Sequence, residues 1–296
     1  KVPGVVTIED NDTAPTVSVN SVTVGESSPY AVVAVTLSNP STQAISFTPN
    51  LQSDKAIIGT DTTGVLQYYN GAEWKDVSGA VTINAGATSA LLRVGIYNGT
   101  LYEGSESFTI ATGAITGAVS NTAGASGTIT IIDDGSSSSG FTPTNTTGQA
   151  TSKPEFANDD RPTISINNLT VSEAQSHAIV TVSLSNASTQ DISFTPSLVS
   201  DTAIKGADFG NSLEYSFNGK DWSPVSGAVT IAAGNFSVQL QTSLVHDQEF
   251  TEGAERFTIT TGAITGTVAN SQDATTKTVT VTSTVTITDV TPLSAP

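Results

Sequence analysis

The chain contains no cysteine and no methionine. Disulfides are therefore excluded, and so are thiolate metal sites and cysteine nucleophiles. Basic residues are scarce. Ten Lys and Arg stand against 27 Asp and Glu, giving a formal net charge of −17. A surface of that sign repels nucleic acid and anionic membrane, so neither is expected as a partner. No apolar run approaches the ~20 residues a membrane helix needs, and membrane insertion is not expected. No basic and apolar leader opens the chain, so any secretion signal is expected elsewhere in a longer protein. Histidine occurs twice, as His177 and His246. One His among carboxylates suggests neither zinc nor a catalytic base. No Ser-His-Asp set repeats, and Gly-x-Ser-x-Gly and phosphate-cradling glycine loops are missing. Paired carboxylates also serve glycoside hydrolysis, but those sites sit in substrate grooves on larger folds. No enzyme activity is expected.

What the chain does have is one pattern written twice. Ile45-Ser46-Phe47-Thr48-Pro49 recurs as Ile192-Ser193-Phe194-Thr195-Pro196. Trp74, followed by Val77-Ser78-Gly79-Ala80-Val81-Thr82-Ile83, recurs as Trp222 and Val225-Ser226-Gly227-Ala228-Val229-Thr230-Ile231. Thr112-Gly113-Ala114-Ile115-Thr116-Gly117 recurs as Thr261-Gly262-Ala263-Ile264-Thr265-Gly266. The offset drifts from 147 through 148 to 149, which implies one inserted residue in each of two loops. Collinearity of this kind means duplicated domains.

Within each copy the apolar residues alternate as half-buried strands require. Val33, Val35 and Leu37 alternate with Ala34 and Thr36, and Val180, Val182 and Leu184 with Thr181 and Ser183. Leu92, Val94 and Ile96 are matched by Leu240, Thr242 and Leu244, and Phe108 and Ile110 by Phe257 and Ile259. Stiff branched side chains suit a pleated surface. Helical periodicity is nowhere sustained. The fold class expected is all-β: two tandem immunoglobulin-like antiparallel β-sandwiches.

The organisation follows from the repeat. Residues 1–12 read as the terminal strand of a preceding module, because Val6-Thr7-Ile8-Glu9-Asp10 resembles Ile129-Thr130-Ile131-Ile132-Asp133 and Val285-Thr286-Ile287-Thr288-Asp289. Residues 13–134 form the first module and 158–290 the second, with a tail over 291–296. Between them, 135–157 is rich in Ser, Thr, Gly and Pro and reads as a flexible or extended linker, its run Ser136 to Ser139 having no apolar side chain to bury. Asn145-Thr146-Thr147 is a formal glycosylation sequon, a triplet common by chance in Thr-rich chains.

Carboxylates gather at the ends of the expected strands. They are Glu26, Asp54, Asp61, Glu103, Glu106, Asp133 and Asp134 in one copy, and Glu173, Asp201, Asp208, Asp247, Glu252, Glu255 and Asp289 in the other. A merely solvated acidic surface does not require fixed positions at strand ends. A Ca²⁺ site does, because six to eight oxygens must converge from several loops.

Four elements carry a family resemblance. They are Val-x-Glu (Val24 to Glu26; Val171 to Glu173), Gly-Thr-Asp or Gly-Ala-Asp (Gly59 to Asp61; Gly206 to Asp208), Glu-Gly-x-Glu-x-Phe (Glu103 to Phe108; Glu252 to Phe257) and a terminal Thr-Ile-x-Asp (Thr130 to Asp133; Thr286 to Asp289). Together they resemble the Calx-beta family across both modules. The Trp-bearing hairpin and acidic bias resemble the versions found in giant RTX-type bacterial adhesins. The resemblance implies a seven-stranded immunoglobulin-like sandwich with Ca²⁺ at one end. Carried over by position, it implies Glu26, Asp61, Asn98, Glu103, Asp133 and Asp134 as ligands in the first module. In the second it implies Glu173, Asp208, Asp247, Glu252 and Asp289. Asn98 stands where the family usually has Asp, and Val290 where it has a second terminal Asp. Asp159 is expected to close a site shared with a neighbouring module. Glu106 and Glu255 are open between ligation and an outward position beside the buried Phe.

The expected role is that of a calcium-binding spacer in a secreted, repetitive bacterial surface adhesin, monomeric, with neighbouring modules of the same chain as partners. The alternative is a recognition region for a glycan or protein receptor, since loops on a rigid sandwich commonly carry recognition. Trp74 and Trp222 are read as hairpin packing before sugar-stacking platforms.

Overall fold

The computed structural model describes residues 4, 6, 11–135, 138–141, 150–153, 158–246, 253–270 and 278–289. The expected terminal strand over 1–12, the tail 291–296, the sequon at Asn145, and Asp247 and Glu252 fall largely or wholly outside these. Two compact units emerge. One comprises residues 1–99 and 104–158; the other comprises 159–296 with the short stretch 100–103.

In chain order the first unit forms β1 (Val17–Val19), β2 (Val22–Gly25), β3 (Tyr30–Leu37), β4 (Ile45–Phe47), β5 (Asn50–Ser53), β6 (Thr62–Tyr69), β7 (Trp74–Asp76), β8 (Val81–Ile83), β9 (Ser89–Ile96), β10 (Glu106–Ala111), β11 (Ile115–Thr116), β12 (Ser126–Ile132), β13 (Ser138–Phe141) and β14 (Ala150–Lys153). Its sheets have the orders β1-β3-β9-β6-β7, β14-β13-β2-β12-β10-β5 and β11-β4-β8. The second unit forms β15 (Ile164–Ile166), β16 (Leu169–Ser172), β17 (His177–Leu184), β18 (Ile192–Phe194), β19 (Ser197–Ser200), β20 (Glu214–Ser216), β21 (Ser223–Pro224), β22 (Val229–Ile231), β23 (Ser237–Ser243), β24 (Glu255–Thr260), β25 (Ile264–Thr265) and β26 (Thr282–Thr288). Its sheets run β15-β17-β23-β20-β21, β16-β26-β24-β19 and β22-β18-β25. No helix occurs among the described residues, and each unit is a β-sandwich.

The alternation in sequence becomes the core. Ala31, Val33 and Val35 of β3 and Leu92 and Val94 of β9 point inward. They meet Phe108 and Ile110 of β10, Ile129 and Ile131 of β12, and Val22 and Val24 of β2. Val180, Val182, Leu240, Phe257, Ile259, Val285 and Ile287 do the same in the second unit. Each such side chain, removed from water, contributes about 1.5–3 kcal/mol.

Three features depart from the expectation. Each unit contains one parallel pair: β2 with β12 (Ile129 opposite Val22) and β16 with β26 (Val285 opposite Leu169). In each unit the second strand lies beside the long strand that closes the sandwich and runs the same way, so the sandwiches are not purely antiparallel. Each unit also holds more short strands than the seven that the resemblance implies. Part of the stretch expected as linker is paired as well: β13 and β14 form a hairpin, and Ser139 lies opposite Thr23 of β2. The exposed edge of β2 offers backbone groups, and any extended segment can satisfy them without an apolar side chain.

Candidate metal centre

Register places several loop carboxylates at one end of the first unit. Because β2 and β12 are parallel, they finish side by side, and Glu26 and Asp133 each follow their strand by one residue. β10 runs antiparallel to β12, so it begins at that same end with Glu106 opposite Ile131. β6 begins there too, Thr62 lying opposite Ile96 at the close of β9, and Asp61 precedes it. The four-residue connection from β2 to β3 keeps the ends of the two sheets together.

Glu26 is 7% exposed and Asp133 2%. They carry carboxylate oxygens within 4.8 Å of each other, as do Asp61 and Glu106, both half-buried. Glu103 lies three residues before Glu106 and is also half-buried. Local hydrogen bonds fix these groups. The backbone N–H of Gly99 donates to Glu26 Oε1 at 2.5 Å. The Ile57 N–H donates to Asp61 Oδ2 at 2.6 Å, and the Asp61 N–H returns to the Ile57 carbonyl at 3.0 Å. Gly59 occupies φ +93° within this turn, which accounts for glycine in the Gly-Thr-Asp element. Ser107 Oγ donates to Asp54 Oδ2 at 2.6 Å.

The remaining first-unit positions are exposed. Asn98 accepts a hydrogen bond from Asn158 Nδ2 at 3.0 Å through its amide oxygen. Asp134 is exposed beside the buried Asp133.

The second unit repeats the frame with different partners. Asp208 again holds its turn, accepting from the Ile204 N–H at 2.6 Å. Glu173, the counterpart of Glu26, has its carboxylate 3.6 Å from His246 Nδ1. Asp289 Oδ2 accepts from the Gly253 N–H at 3.1 Å. Asp247 and Glu252 lie outside the described residues. Asp159 is paired with Arg161, Nε to Oδ1 at 2.7 Å and Nη2 to Oδ2 at 2.8 Å. The hydrogen bonds from Arg161 hold its carboxyl below the usual carboxylate range. Both of its oxygens are thus engaged by the Arg161 guanidinium.

Sequence reasoning left Glu106 open, and strand parity bears on it. Glu106, Phe108 and Ile110 share one face of β10, and that face is buried at Phe108 and Ile110. Glu106 is therefore the core-side residue at the mouth of its strand.

The donor set in the first unit is all oxygen. Both histidines of the chain lie in the second module. Two oxygens on one Ca²⁺ at about 2.3–2.6 Å stand at most about 5 Å apart. The spacing of the two carboxylate pairs fits that limit, so the residues present suit a hard divalent cation and suit zinc poorly.

A β-sandwich with carboxylates converging on one end defines the class. The sequence matches the Calx-beta domain over residues 9–135, 157–216 and 216–291, and the chain belongs to that family of calcium-binding modules. No curated protein matches the chain. Among solved structures, CBD12 from CALX1.2 aligns at 13% identity and a TM-score of 0.32, over 88% of this chain and 83% of that one. The apo-form Calx CBD1 domain aligns at 17% identity and 0.31, over 44% and 98%. The adhesive subunit CfaE of CFA/I fimbria of enterotoxigenic Escherichia coli aligns at 11% identity and 0.38, over 96% and 100%. At these values the likenesses carry no functional argument.

Proposed function

We propose that each unit is a Ca²⁺-binding spacer module of a secreted, repetitive bacterial surface adhesin, and that Ca²⁺ rigidifies the modules and their junctions. The observation that carries the calcium reading is the convergence of Glu26 with Asp133, and of Asp61 with Glu106, from separate loops onto one end of the first unit. Taking carboxylates such as Glu26 and Asp133 out of water is costly without opposite charge nearby. Glu26 with Asp133, and Asp61 with Glu106, would hold Ca²⁺, with Asp134 at the rim. The bound ion supplies positive charge and ties together loops that the core alone does not join. Tandem duplication of a spacer-like frame supports the adhesin reading, because a specialised receptor site has no need of a twin.

Calorimetric titration of the full chain with Ca²⁺ tests the first part, with saturable binding expected. Melting and X-ray scattering with and without chelator test the second. A lower melting temperature and a looser scattering envelope are expected in chelator. An unchanged envelope with an unchanged melting temperature would sink the proposal.

A further inference from the structure

The outer face of the five-stranded sheet in the first unit carries a cluster that the second unit lacks. Arg93, half-buried on β9, lies with its guanidinium carbon 3.8 Å from the centroid of the Tyr30 ring and 4.4 Å from that of Trp74. Tyr69 leans on Trp74 at a centroid distance of 5.5 Å and an interplanar angle of 51°. The rings belong to strands on both sides of β9, so the cation is held between two aromatic groups. Arg93 Nε donates to Gln67 Oε1 at 2.8 Å, and Gln67 Nε2 donates to Asp76 Oδ1 at 2.8 Å.

Among the described residues Arg93 forms no ion pair, in a chain with 27 acidic and ten basic residues. A guanidinium has five N–H donors in a fixed fork. One goes to Gln67, and the fork at the terminal nitrogens has no partner among the described residues. Aromatic contacts fix the plane of the group, so little rotamer freedom remains to be lost on binding an anion. Tyr30 and Tyr69 stand beside it, 42% and 36% exposed.

The duplicate shows that the fold does not demand this cluster. Gln241 replaces Arg93 there, and His177 replaces Tyr30. Gln241 Nε2 donates to Glu214 Oε2 at 2.8 Å, a polar pair with no cation.

We propose that this face binds a glycan through a carboxylate-bearing sugar, a uronic or sialic acid unit. The terminal nitrogens of Arg93 take the sugar carboxylate as paired charge-assisted hydrogen bonds. Exposed tyrosine ring stacks on the pyranose C–H face, and Asp76 Oδ2 accepts a hydroxyl. An acidic peptide satisfies Arg93 equally, but peptides gain most of their affinity from a strand edge or a groove. Arg93 lies on β9, an interior strand already paired on both sides and two strands in from the edge strand β7, out of line with a peptide added at that edge. A flat face of rings alternating with polar groups suits a ring-shaped, hydroxylated ligand. This reading is independent of Ca²⁺.

The test uses the full chain carrying Trp222→Phe, so that indole fluorescence reports Trp74 alone. The probes are trigalacturonate, sialyllactose, the neutral sugars maltotriose and lactose, and hexaglutamate. Saturable quenching is expected with one or both acidic sugars, unchanged by chelator. Neutral sugars are expected to bind at least about tenfold more weakly, the scale of a charge-assisted pair. Arg93→Gln, which copies the second unit, is expected to lose about tenfold or more, and Arg93→Lys to retain part of the binding. Tyr69→Ala and Asp76→Asn carry the test should Arg93→Gln fail to fold, as judged by circular dichroism. The proposal is overturned by the absence of saturable change with both acidic sugars up to about 10 mM. Equal binding of acidic and neutral sugars overturns it, as does wild-type affinity in the folded variants. Tighter binding of hexaglutamate overturns it in favour of a protein partner.

Discussion

The two units are built on the same inward-facing residues and differ at one core corner, on the outer face of one sheet and around the carboxylate loops. Val33 and Val180, Leu92 and Leu240, and Phe108 and Phe257 are all fully buried at matching positions. One core corner differs. At the start of β6 the first unit buries Thr62, whereas the second buries Phe209, stacked on Phe257 at 4.0 Å and 12°. The outer faces differ more, Arg93 among aromatic rings against Gln241 with Glu214. The carboxylate ends differ as well, since Glu26 lies beside Asp133 while Glu173 lies beside His246. Duplication held the interior constant and left solvent-facing and loop positions free to diverge. Interiors are packed at crystal-like density and tolerate volume changes poorly.

The sharpest way to break the comparison is at the divergent core corner. Phe209→Ala is expected to destabilise the second unit by about 3–5 kcal/mol, the usual result of removing a buried aromatic ring. Thr62→Ala in the first unit should cost about 1 kcal/mol, chiefly a lost hydroxyl hydrogen bond to the Gly64 N–H. Two-transition melting of the full chain separates them, and equal losses would show that the stacked pair adds nothing.

Next in size is the difference in metal binding. The terminal pair Asp133-Asp134 can bridge two adjacent ions, and the second unit has Val290 in place of the second Asp. The first unit is therefore expected to bind more Ca²⁺. Calorimetry on full-length Glu26→Gln/Asp133→Asn should lose more bound ions than Glu173→Gln/Asp289→Asn. Calcium at 100 times its Kd stabilises a one-site unit by about 2.7 kcal/mol, and each double variant should forfeit that term in its own unit. Equal or greater loss from the second variant would reverse the ranking.

Smaller again is the outer face. Arg93→Ala should cost the first unit about 1 kcal/mol through lost cation–π contact and the hydrogen bond to Gln67. Gln241→Ala is a half-step of the same kind, expected nearer 0.5 kcal/mol. Denaturant midpoints measure both.

The smallest effect is electrostatic. Hydrogen bonding from Arg161 depresses the Asp159 carboxyl in the folded state. A depressed carboxylate contributes stability that is present above its unfolded value of about 3.9 and is lost as pH falls through the folded value. Arg161→Gln should therefore cost only a few tenths of a kcal/mol near neutral pH, because the pair is about a third exposed and screened by solvent. The difference from wild type should start to shrink near pH 4 and vanish only once the pH is below the depressed folded value. A constant difference down to pH 2 would remove the ion pair as its cause.

The sandwich was legible because period-two alternation is a direct image of burial. Alternation alone assigns Val33, Val35, Leu92 and Val94 to the interior, where the structure places them. The duplication was legible for the same reason. Parallel pairing of β2 with β12 was not, because strand direction depends on where the chain has been, not on local pattern. Nor was the hairpin of β13 and β14, whose pairing uses backbone groups that every residue carries. At the acidic end, motif spacing pointed to Glu26, Asp61 and Asp133, and their convergence required register. Glu106 could have been placed by counting two residues back from Phe108. The pairing of Asp159 with Arg161 is legible in the sequence, since opposite charges two residues apart lie within reach of each other.

The parallel pair also determines how a module responds to pulling. Tension applied to the two ends of a module enters at its first strands and leaves at its last. In the first unit β2 and β12 lie side by side, running the same way, with Val22, Thr23, Val24 and Gly25 opposite Ile129, Thr130, Ile131 and Ile132. Opposing forces at the two chain ends then act along these strands, so their ladder of hydrogen bonds is loaded in shear. Bonds in shear must fail together, whereas a hairpin pulled from its open end unzips one bond at a time. The β2–β12 pair is thus the clamp that resists unravelling when the chain is stretched.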